Sequence, residues 1–392
     1  MEIGKLILKP KEDRRVRSGH LWIFSNEIAE VHGGDSDGGI VDVVGSRGQF
    51  VGRGYYNRHT LIAARILSLH QEAIDTEFFS KRFHKALAHR KATLGPVRSA
   101  RVVYSEGDLL PGLIVDRYED YLVVQLLTAG MESMREIILE ALIEVFKPKG
   151  VLLRNDTSYR ELEGLPLEVG IVHGEVPQRI TIDEAGASFI IDPHSGHKTG
   201  FYFDQRDTRA AARAMAKGRR VLDCFSYTGG FAINYALGGA SSVLALDESQ
   251  PALDILTENA NLNKVASIVT TEKANCFDKL HALTDDGEKF DLITLDPPAF
   301  VKSKSQLKAA LTGYREINLR AMRLLSPGGI LVTCSCSMNL TDDAFQSVLR
   351  TAARDARRRF RVRDFITQSA DHPILQAMPE TQYLRCYVLE AV

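Results

Sequence analysis

The sequence predicts an α/β protein in which a small β-barrel-like domain and a central α+β domain precede a doubly wound, Rossmann-like C-terminal domain. From about residue 186 onward, apolar strand-like runs alternate with amphipathic helix-like runs, the pattern of a parallel sheet covered by helices. Residues 1 to about 70 instead hold short strand-like runs separated by glycine or polar turns, which is typical of a β domain. A chain of 392 residues is too long for one ordinary core. We therefore expect domains over residues 1–70, 71–185 and 186–392.

The first two domains are predicted from short runs of regular pattern. The β domain contains three strand candidates, Val41–Val44, Phe50–Tyr56 and Leu61–Ile66. The central domain combines amphipathic helices, whose apolar residues recur at helical spacing, with a hairpin. Its helix candidates are Thr76–Ala92 and Glu132–Phe146, and its hairpin candidates are Leu109–Tyr118 and Tyr121–Leu127.

The C-terminal domain has the clearest alternation of strand-like and helix-like runs. Its strand candidates are Val221–Phe225, Ser242–Leu246, Ile268–Thr271, Phe290–Leu295, Ile330–Thr333 and Leu384–Leu389. Its helix candidates include Pro251–Leu262, Ser305–Leu325 and Asp342–Arg357. In an open parallel sheet, ligands bind just beyond the carboxyl ends of the strands. Side chains that directly follow these strands are therefore the first candidates for a functional site.

Composition excludes several classes of protein. Hydrophobic residues make up 44% of the chain and charged residues 25%, with a mean hydropathy of −0.12, values typical of a soluble globular protein. The start of the chain lacks an apolar signal core, and no apolar stretch is long enough to cross a bilayer. We expect a cytoplasmic protein with no membrane partner. Five cysteines without zinc-ligand spacing predict neither a disulfide framework nor a metal site.

Charge is balanced globally and uneven locally. The formal net charge is −1, so nothing global indicates nucleic acid. Lys5–Arg17 nevertheless holds six basic residues against two acids, and Arg350–Arg363 holds seven arginines against one aspartate. Such clusters can neutralise phosphates, and they are equally consistent with a solvated helix face or terminus. We place RNA backbone at both clusters, with Arg14, Arg15 and Arg17 as contacts in the first.

The turn after the first strand of the C-terminal domain predicts a nucleotide-like cofactor. Gly229 and Gly230 let the backbone approach a ligand closely. The dinucleotide fingerprint G-x-G-x-x-G is absent, which weakens a pyrophosphate reading. Asp247 ends the second strand, where a carboxylate accepts hydrogen bonds from ribose hydroxyls. Ribose without pyrophosphate points to S-adenosylmethionine.

Three further residues surround this predicted site. Asp223 is placed as an organiser of the turn near the methionine end, and Phe225 lies in the same turn. Asn275, after the third strand, is placed at the adenine, and a simple helix-cap role fits it equally well. Helix capping is also the alternative reading for the two aspartates.

An acid and a thiol follow two neighbouring strands and form a reactive pair. Asp296 opens Asp296-Pro297-Pro298-Ala299-Phe300, and Cys336 ends the run Gly329–Cys336 between two serines. C5 of cytosine is a poor nucleophile until a thiolate adds at C6 and makes an enamine. Asp296 can hold the N3 and N4 edge of the ring, and Phe300 can stack on a base that has left its helix. The pair therefore predicts methylation of a pyrimidine.

The same residues carry a resemblance to a known family. Gly328–Ser337 resembles the thiol-bearing motif of RNA cytosine-5 methyltransferases, with the nucleophile on Cys336 and Cys334 at a non-catalytic position. The chain as a whole resembles the large-subunit (23S) ribosomal RNA cytosine-5 methyltransferases of the RlmI type, on His197–Arg206, Asp223–Gly230 and Asp296–Ser303.

The resemblance implies an architecture and a partner. It implies a PUA domain over residues 1–70, a linker domain, and a class I methyltransferase domain that uses S-adenosylmethionine on large-subunit ribosomal RNA. It also implies that Gln205 and Arg206 lie near the cofactor. In one respect the chain departs from the broader family, because Ala299 stands where a second cysteine commonly releases the product. The base that removes the C5 proton is therefore unassigned, with Lys302 or a water as candidates.

Three alternative functions compete with this prediction. An amino methyltransferase acting on a purine carries an aromatic residue directly after its two prolines, and here Ala299 intervenes before Phe300. A non-catalytic RNA-binding or ribosome-assembly factor would keep the fold without the chemistry, yet the cofactor turn, Asp247, Asp296 and Cys336 occur together. A metal site at Asp192, His194 and His197 has loop-like spacing and no further ligands. The sequence does not name the target nucleotide, and it leaves a homodimer open.

Overall fold

The computed structural model describes residues 3–33, 37–300 and 307–392. These residues form two compact units. The first unit comprises residues 1–180, 191–203 and 370–381, and the second comprises residues 181–190, 204–369 and 382–392. The division into three domains that the sequence predicts stays a prediction.

The first unit opens with a six-stranded sheet in the order β2-β6-β5-β4-β1-β3. Its elements are β1 (Gly4–Leu8), helix α1 (Arg14–Arg17), β2 (Trp22–Phe24), β3 (Ile28–His32), β4 (Gly39–Val44), β5 (Phe50–Tyr56) and β6 (Ile62–Ser68). The three predicted strands are all present. Their apolar side chains, such as Val41, Val43 and Ile66, are buried in one core.

A second sheet in the first unit has five strands in the order β11-β10-β9-β8-β7. Its strands are β7 (Ala100–Tyr104), β8 (Leu113–Tyr118), β9 (Tyr121–Leu126), β10 (Gly150–Asn155) and β11 (Glu168–Gly174), with helices α2 (Thr76–Leu94), α3 (Ala129–Ser133), α4 (Arg135–Phe146) and α5 (Tyr159–Leu162). The predicted hairpin is the antiparallel pair of β8 and β9. Phe79 and Phe83 of α2 are buried in the core of this sheet.

The second unit is built on a seven-stranded sheet in the order β16-β15-β14-β17-β18-β20-β19. Two short strands precede it, β12 (Ile180–Glu184) and β13 (Ala187–Ile191). The sheet strands are β14 (Arg220–Cys224), β15 (Ser242–Asp247), β16 (Val269–Lys273), β17 (Phe290–Leu295), β18 (Leu325–Ser335), β19 (Phe360–Ile366) and β20 (Arg385–Ala391). The helices are α6 (Arg206–Ala214), α7 (Gly230–Leu237), α8 (Gln250–Leu262), α9 (Cys276–Asp285), α10 (Leu307–Leu324) and α11 (Asp342–Asp355).

This sheet brings the predicted site residues to one edge. Strands β16, β15, β14, β17 and β18 pair in parallel, so their carboxyl ends meet there, as in a doubly wound fold. Strand β20 pairs antiparallel with β18 and with β19. The predicted α/β, Rossmann-like fold is therefore confirmed, with an antiparallel strand inserted next to one edge.

The structure adds elements that the sequence pattern did not predict. Strand β19 takes up part of the arginine-rich run, where the arginines at positions 361 and 363 hide the strand pattern because charged residues carry no apolar alternation. Helix α9 begins directly after Asn275, where the sequence allowed a helix cap. Among the described residues, no helix is long and apolar enough to cross a membrane. The same residues contain no group of three or more histidine, cysteine or acidic side chains able to hold a metal ion.

Candidate active site

The turn between β14 and α7 adopts unusual backbone conformations. Phe225 and Tyr227 have φ angles of 62° and 48°, and Gly229 has a φ of 90°. Positive φ in bulky residues costs free energy and is concentrated at functional sites. A Cβ on Gly229 would lie 2.6 Å from Cγ of Leu256, so only glycine fits between the turn and α8. The turn therefore leaves its backbone open to a ligand.

Asp247 holds this turn from the end of β15. Its Oδ2 accepts a hydrogen bond from the backbone N–H of Tyr227 at 2.8 Å, and its Oδ1 accepts one from the N–H of Ser249 at 2.9 Å. The carboxylate is half-buried, and each oxygen keeps lone-pair capacity for a further donor. This geometry suits a side chain that both organises the turn and accepts hydroxyl groups.

Asp223 is a buried carboxyl group without the partners that burial normally requires. Its side chain is 1% exposed, and neither oxygen accepts a hydrogen bond from the described residues. Burial raises the pKa of Asp223 well above its usual range, and the negative charge of Asp296 raises the pKa further. The N–H of Ala232 counteracts this rise in part without reaching hydrogen-bond geometry. A group of this kind marks a place where a ligand donor is missing.

Gln205 links the turn before α6 to Asp296. Its Nε2 donates a hydrogen bond to Oδ1 of Asp296 at 2.9 Å. The side chain is buried, and its Oε1 has no hydrogen-bond partner among the described residues. Arg206 follows at the start of α6, where its Nη1 lies 3.7 Å from Oε2 of Glu184. The structure thus brings Gln205 to Asp296 and ties Arg206 to Glu184.

Asn275 caps helix α9. Its side-chain oxygen accepts hydrogen bonds from the N–H groups of Phe277 and Asp278, and its Nδ2 donates to Glu248. The residue is exposed. The cap role that the sequence left open is present, and contact with an adenine stays a prediction.

Cys336 differs from the other four cysteines of the chain. It is half-buried, whereas Cys224, Cys276, Cys334 and Cys386 are buried. Cys336 directly follows β18, and its thiol donates a hydrogen bond to the carbonyl oxygen of Pro297 at 3.8 Å. The thiol therefore lies against the loop that carries Asp296. The predicted reactive pair comes from two adjacent strands, β17 and β18, as the sequence indicated.

Tyr314 of α10 supports this thiol, and sequence reasoning missed it. Its hydroxyl accepts a hydrogen bond from Oγ of Ser335 at 3.0 Å and lies 3.1 Å from Oγ of Ser337. Both serines flank Cys336. Burial raises the pKa of Tyr314 to about 12, so the hydroxyl stays protonated. In the sequence, Tyr314 and Ile317 are spaced like core residues on one face of a helix. The pattern therefore predicts only burial for Tyr314 and gives no sign of its contact with the serines.

Phe300 packs into an aromatic cluster next to the thiol loop. Its ring centroid lies 4.7 Å from that of Tyr314 and 5.8 Å from that of Phe277. The residue is half-buried, so part of the ring stays accessible. Lys302 lies outside the described residues.

The three arginines of α1 belong to the first unit and differ in their partners. Arg15 pairs with Glu27 and lies over the ring of Phe24, and Arg17 pairs with Asp13. Arg14 is exposed, and within the described part of the chain it has no ion-pair partner. Arg14 is thus the member of the set whose charge is not already neutralised.

Comparison with known proteins agrees with this geometry. The family model for S-adenosylmethionine-dependent methyltransferases matches residues 163–375, more than half of the chain, and a PUA-like domain model matches residues 6–69. The chain belongs to this methyltransferase family. Its resemblance to ribosomal RNA methyltransferases, predicted from motifs alone, is confirmed by the relatives below.

Curated relatives match this methyltransferase over nearly its whole length. A protein from Erwinia tasmaniensis is 40% identical and covers 99% of both chains, and one from Tolumonas auensis is 42% identical and covers 98% of both. A third, from Escherichia coli, is 41% identical over 97% of this chain and 98% of its own. Each is named ribosomal RNA large subunit methyltransferase I.

Solved structures share the fold of the methyltransferase. A Streptococcus mutans protein assigned as an S-adenosylmethionine-dependent methyltransferase aligns with a TM-score of 0.85 at 20% identity, over 99% of this chain and 100% of its own. A structure assigned as a methyltransferase complexed with SAH aligns with the same score, identity and coverage. At this identity the likeness shows the fold alone.

The residues of this methyltransferase fit its cofactor. The unpartnered oxygens of Asp223 and of Gln205 are buried acceptors that an amino group or a hydroxyl would satisfy. Asp247 lies at the end of the second strand for ribose hydroxyls and holds the turn through the N–H of Tyr227. These residues would hold S-adenosylmethionine, which supplies an electrophilic methyl group when it is bound.

Proposed function

We propose that this methyltransferase forms 5-methylcytosine in large-subunit (23S) ribosomal RNA and that Cys336 is its nucleophile. The observation that carries the proposal is the position of the Cys336 thiol, half-buried and 3.8 Å from the carbonyl oxygen of Pro297 in the loop of Asp296. A purine amino methyltransferase needs no thiol at this position. The names of the curated relatives support the RNA substrate.

The proposed chemistry begins with the thiolate of Cys336. Its sulfur forms a bond to C6 of cytosine, and the electron pair of the C5–C6 double bond makes C5 nucleophilic. C5 then takes the methyl group from S-adenosylmethionine, and the electron pair of the broken sulfur–methyl bond stays on the departing thioether. A base removes the C5 proton, the C5–C6 double bond returns, and the bond from sulfur to C6 breaks to restore the thiolate. The base is a water or Lys302.

Asp296 has the proposed role of holding the base edge. When the thiolate adds, negative charge enters the ring and must be met at N3 and N4. One oxygen of Asp296 accepts a hydrogen bond from Gln205, and the carboxyl group would hold this edge of the ring either protonated or through hydrogen bonds. Phe300, part of whose ring stays accessible, would stack on the flipped base.

The proposed substrate is an RNA of the large ribosomal subunit. The PUA-like match over residues 6–69 supports an accessory RNA contact in the first unit, on Arg14, Arg15 and Arg17. A homodimer stays a prediction that sedimentation of the purified chain would test.

The test is methyl transfer from labelled S-adenosylmethionine to unmodified large-subunit ribosomal RNA, with the product digested to nucleosides. We expect the label in 5-methylcytidine with the wild-type chain and with Cys334→Ala, and none with Cys336→Ala. Cys334 is the matched control because it belongs to the same strand motif and is buried. Label in a methylated purine that is indifferent to Cys336 would overturn the proposal and favour the amino methyltransferase.

A further inference from the structure

Exposed arginines lie on strand β19, at the edge of the seven-stranded sheet, and on the segment just before it. Arg357, Arg359, Arg361 and Arg363 are all exposed, and none has an ion-pair partner in the ranges that the structure describes. Some other arginines of the second unit pair with acids, as Arg315 does with Asp355. Over residues 357–364, five arginines face one aspartate. The edge is therefore a strip with an excess of positive charge, in which Arg361 has Glu390 of β20 as its cross-strand neighbour.

Apolar side chains interrupt this strip. Val362 is 62% exposed and Phe365 is 41% exposed. The ring centroid of Phe365 lies 4.8 Å from that of Tyr387, and the rest of the Phe365 side chain faces solvent. By the strand register, Phe365 lies on the same face of the sheet as Tyr387, and Arg361 lies on the face of Glu390, so the ring and Arg361 are on opposite faces. The cations are therefore the part of this edge that would meet phosphates.

The strand register fixes the distance between this strip and the thiol. Arg361 is paired with Glu390 of β20, which is paired with Ile330 of β18. Six residues separate Ile330 from Cys336, which corresponds to roughly 20 Å at about 3.3 Å per residue.

We propose that this edge, defined as Arg357, Arg359, Arg361 and Arg363, binds the phosphate backbone of the substrate RNA several nucleotides away from the one that is methylated. The inference rests on the proposed function. For Arg361, about 20 Å along the strands and two strand spacings of about 4.8 Å across them give a separation of about 22 Å, which is about six to seven nucleotides at about 3.4 Å of stacked strand per phosphate. The competing explanation is that charges on an edge strand only prevent pairing with other sheets.

The experiment compares two charge-matched variants on transcribed, unmodified large-subunit ribosomal RNA. Arg361→Gln/Arg363→Gln removes two charges from the edge. Lys217→Gln/Lys264→Gln removes two charges from exposed lysines elsewhere in the second unit. Binding is measured over a series of salt concentrations, and methyl transfer is measured on the same samples. Circular dichroism and thermal unfolding check that both variants are folded.

The salt dependence decides between the two explanations. Each lost phosphate contact lowers the slope of log K against log salt by about 0.7 to 0.9. We expect the edge variant to lower the slope by about 1.4 to 1.8 and the lysine variant to leave it unchanged. Equal slopes in the two variants would overturn the proposal, and so would an edge variant that aggregates but binds RNA like the wild type.

Fragment length gives a second readout. Once the modified nucleotide is mapped, fragments with three and with twelve nucleotides on each side of it are compared. The edge variant should bind the long fragment more weakly than the wild type and the short fragment equally well. A wild-type chain that binds but transfers no methyl group would refute the proposed function while the slopes still decide the role of the edge. No binding by the wild type would refute both.

Discussion

At the scale of single residues, the site is distinguished by polar groups that folding alone does not favour. A buried acceptor without a donor costs about 1 to 3 kcal/mol, and Asp223 leaves both carboxyl oxygens in that state while Gln205 leaves one. Asp223 also lies near the negative charge of Asp296. The chain tolerates these costs where a cofactor would supply the missing donors.

Replacing Asp223 should separate stability from cofactor binding. Because its pKa is raised in the folded state, the wild type loses stability as the pH rises above the unfolded value of about 3.8 and through the folded pKa. We expect Asp223→Asn to raise the free energy of unfolding by about 1 kcal/mol at pH 8 and by less at pH 5. The variant should also bind S-adenosylmethionine at least about tenfold more weakly. Denaturant unfolding at the two pH values and calorimetric titration measure this. A variant that is less stable at both pH values would contradict the assignment.

Tyr314 should position the thiol through the two serines beside it. Tyr314→Phe keeps the ring against Phe300 and removes only the hydroxyl, so we expect kcat to fall about tenfold, which is about 1.4 kcal/mol of barrier, with KM little changed. The rate of Cys336 alkylation by iodoacetamide should change as well, since the other cysteines are buried.

The control for this substitution is Tyr387→Phe. It removes a hydroxyl that hydrogen-bonds to Asp342 and Gln346 in the same unit. If both substitutions lower kcat equally and leave the alkylation rate unchanged, Tyr314 has a merely structural role.

At the scale of elements, the turn from β14 to α7 is the feature that depends most on backbone conformation. Gly229 combines a φ of 90° with a close approach to Leu256. Alanine at this position would pay about 1 to 2 kcal/mol for the left-handed backbone conformation. Its Cβ would also clash with the side chain of Leu256. The turn and α8 therefore constrain one another.

Gly229→Ala can be compared directly with Gly218→Ala. Gly218 has a φ of 70° and open space where its Cβ would lie, so its substitution carries the conformational penalty alone. We expect Gly229→Ala to lower the thermal midpoint further and to weaken S-adenosylmethionine binding, which Gly218→Ala leaves intact. If both variants lose equal stability and both still bind the cofactor, the turn can shift to accommodate a Cβ at position 229, and this prediction is wrong.

Sequence predicts elements well where one periodicity dominates. The apolar strands β14, β15 and β17 and the acid or thiol that follows a strand were recognisable because a parallel sheet fixes where its strands end. Strand β19 was missed because arginines carry no apolar alternation. The contacts of Gln205 with Asp296 and of Tyr314 with the two serines join residues 91 and 21 to 23 positions apart, and no local pattern encodes such pairs.

At the scale of the whole molecule, a chain with a net charge of −1 would have to bind RNA through local basic surfaces. Among the three arginines of α1, Arg15 and Arg17 are already paired with acids. We therefore expect Arg14→Ala to weaken binding to ribosomal RNA and to lower the slope of log K against log salt by about 0.7 to 0.9. Arg15→Ala and Arg17→Ala should have smaller effects. Titrations over a salt series measure the slopes, and an unchanged slope in Arg14→Ala would place RNA elsewhere.

The central claim is that the thiol of Cys336 attacks a cytosine. Large-subunit ribosomal RNA transcribed with 5-fluorocytidine tests it most directly, because fluorine at C5 cannot leave as a proton does and the bond from sulfur to C6 is retained. We predict a covalent complex that survives denaturant and maps by mass spectrometry to the Cys336 peptide. It should form with the wild type and Cys334→Ala and be absent with Cys336→Ala. A chain that methylates normal RNA yet forms no such complex, or forms it at another residue, would contradict the account.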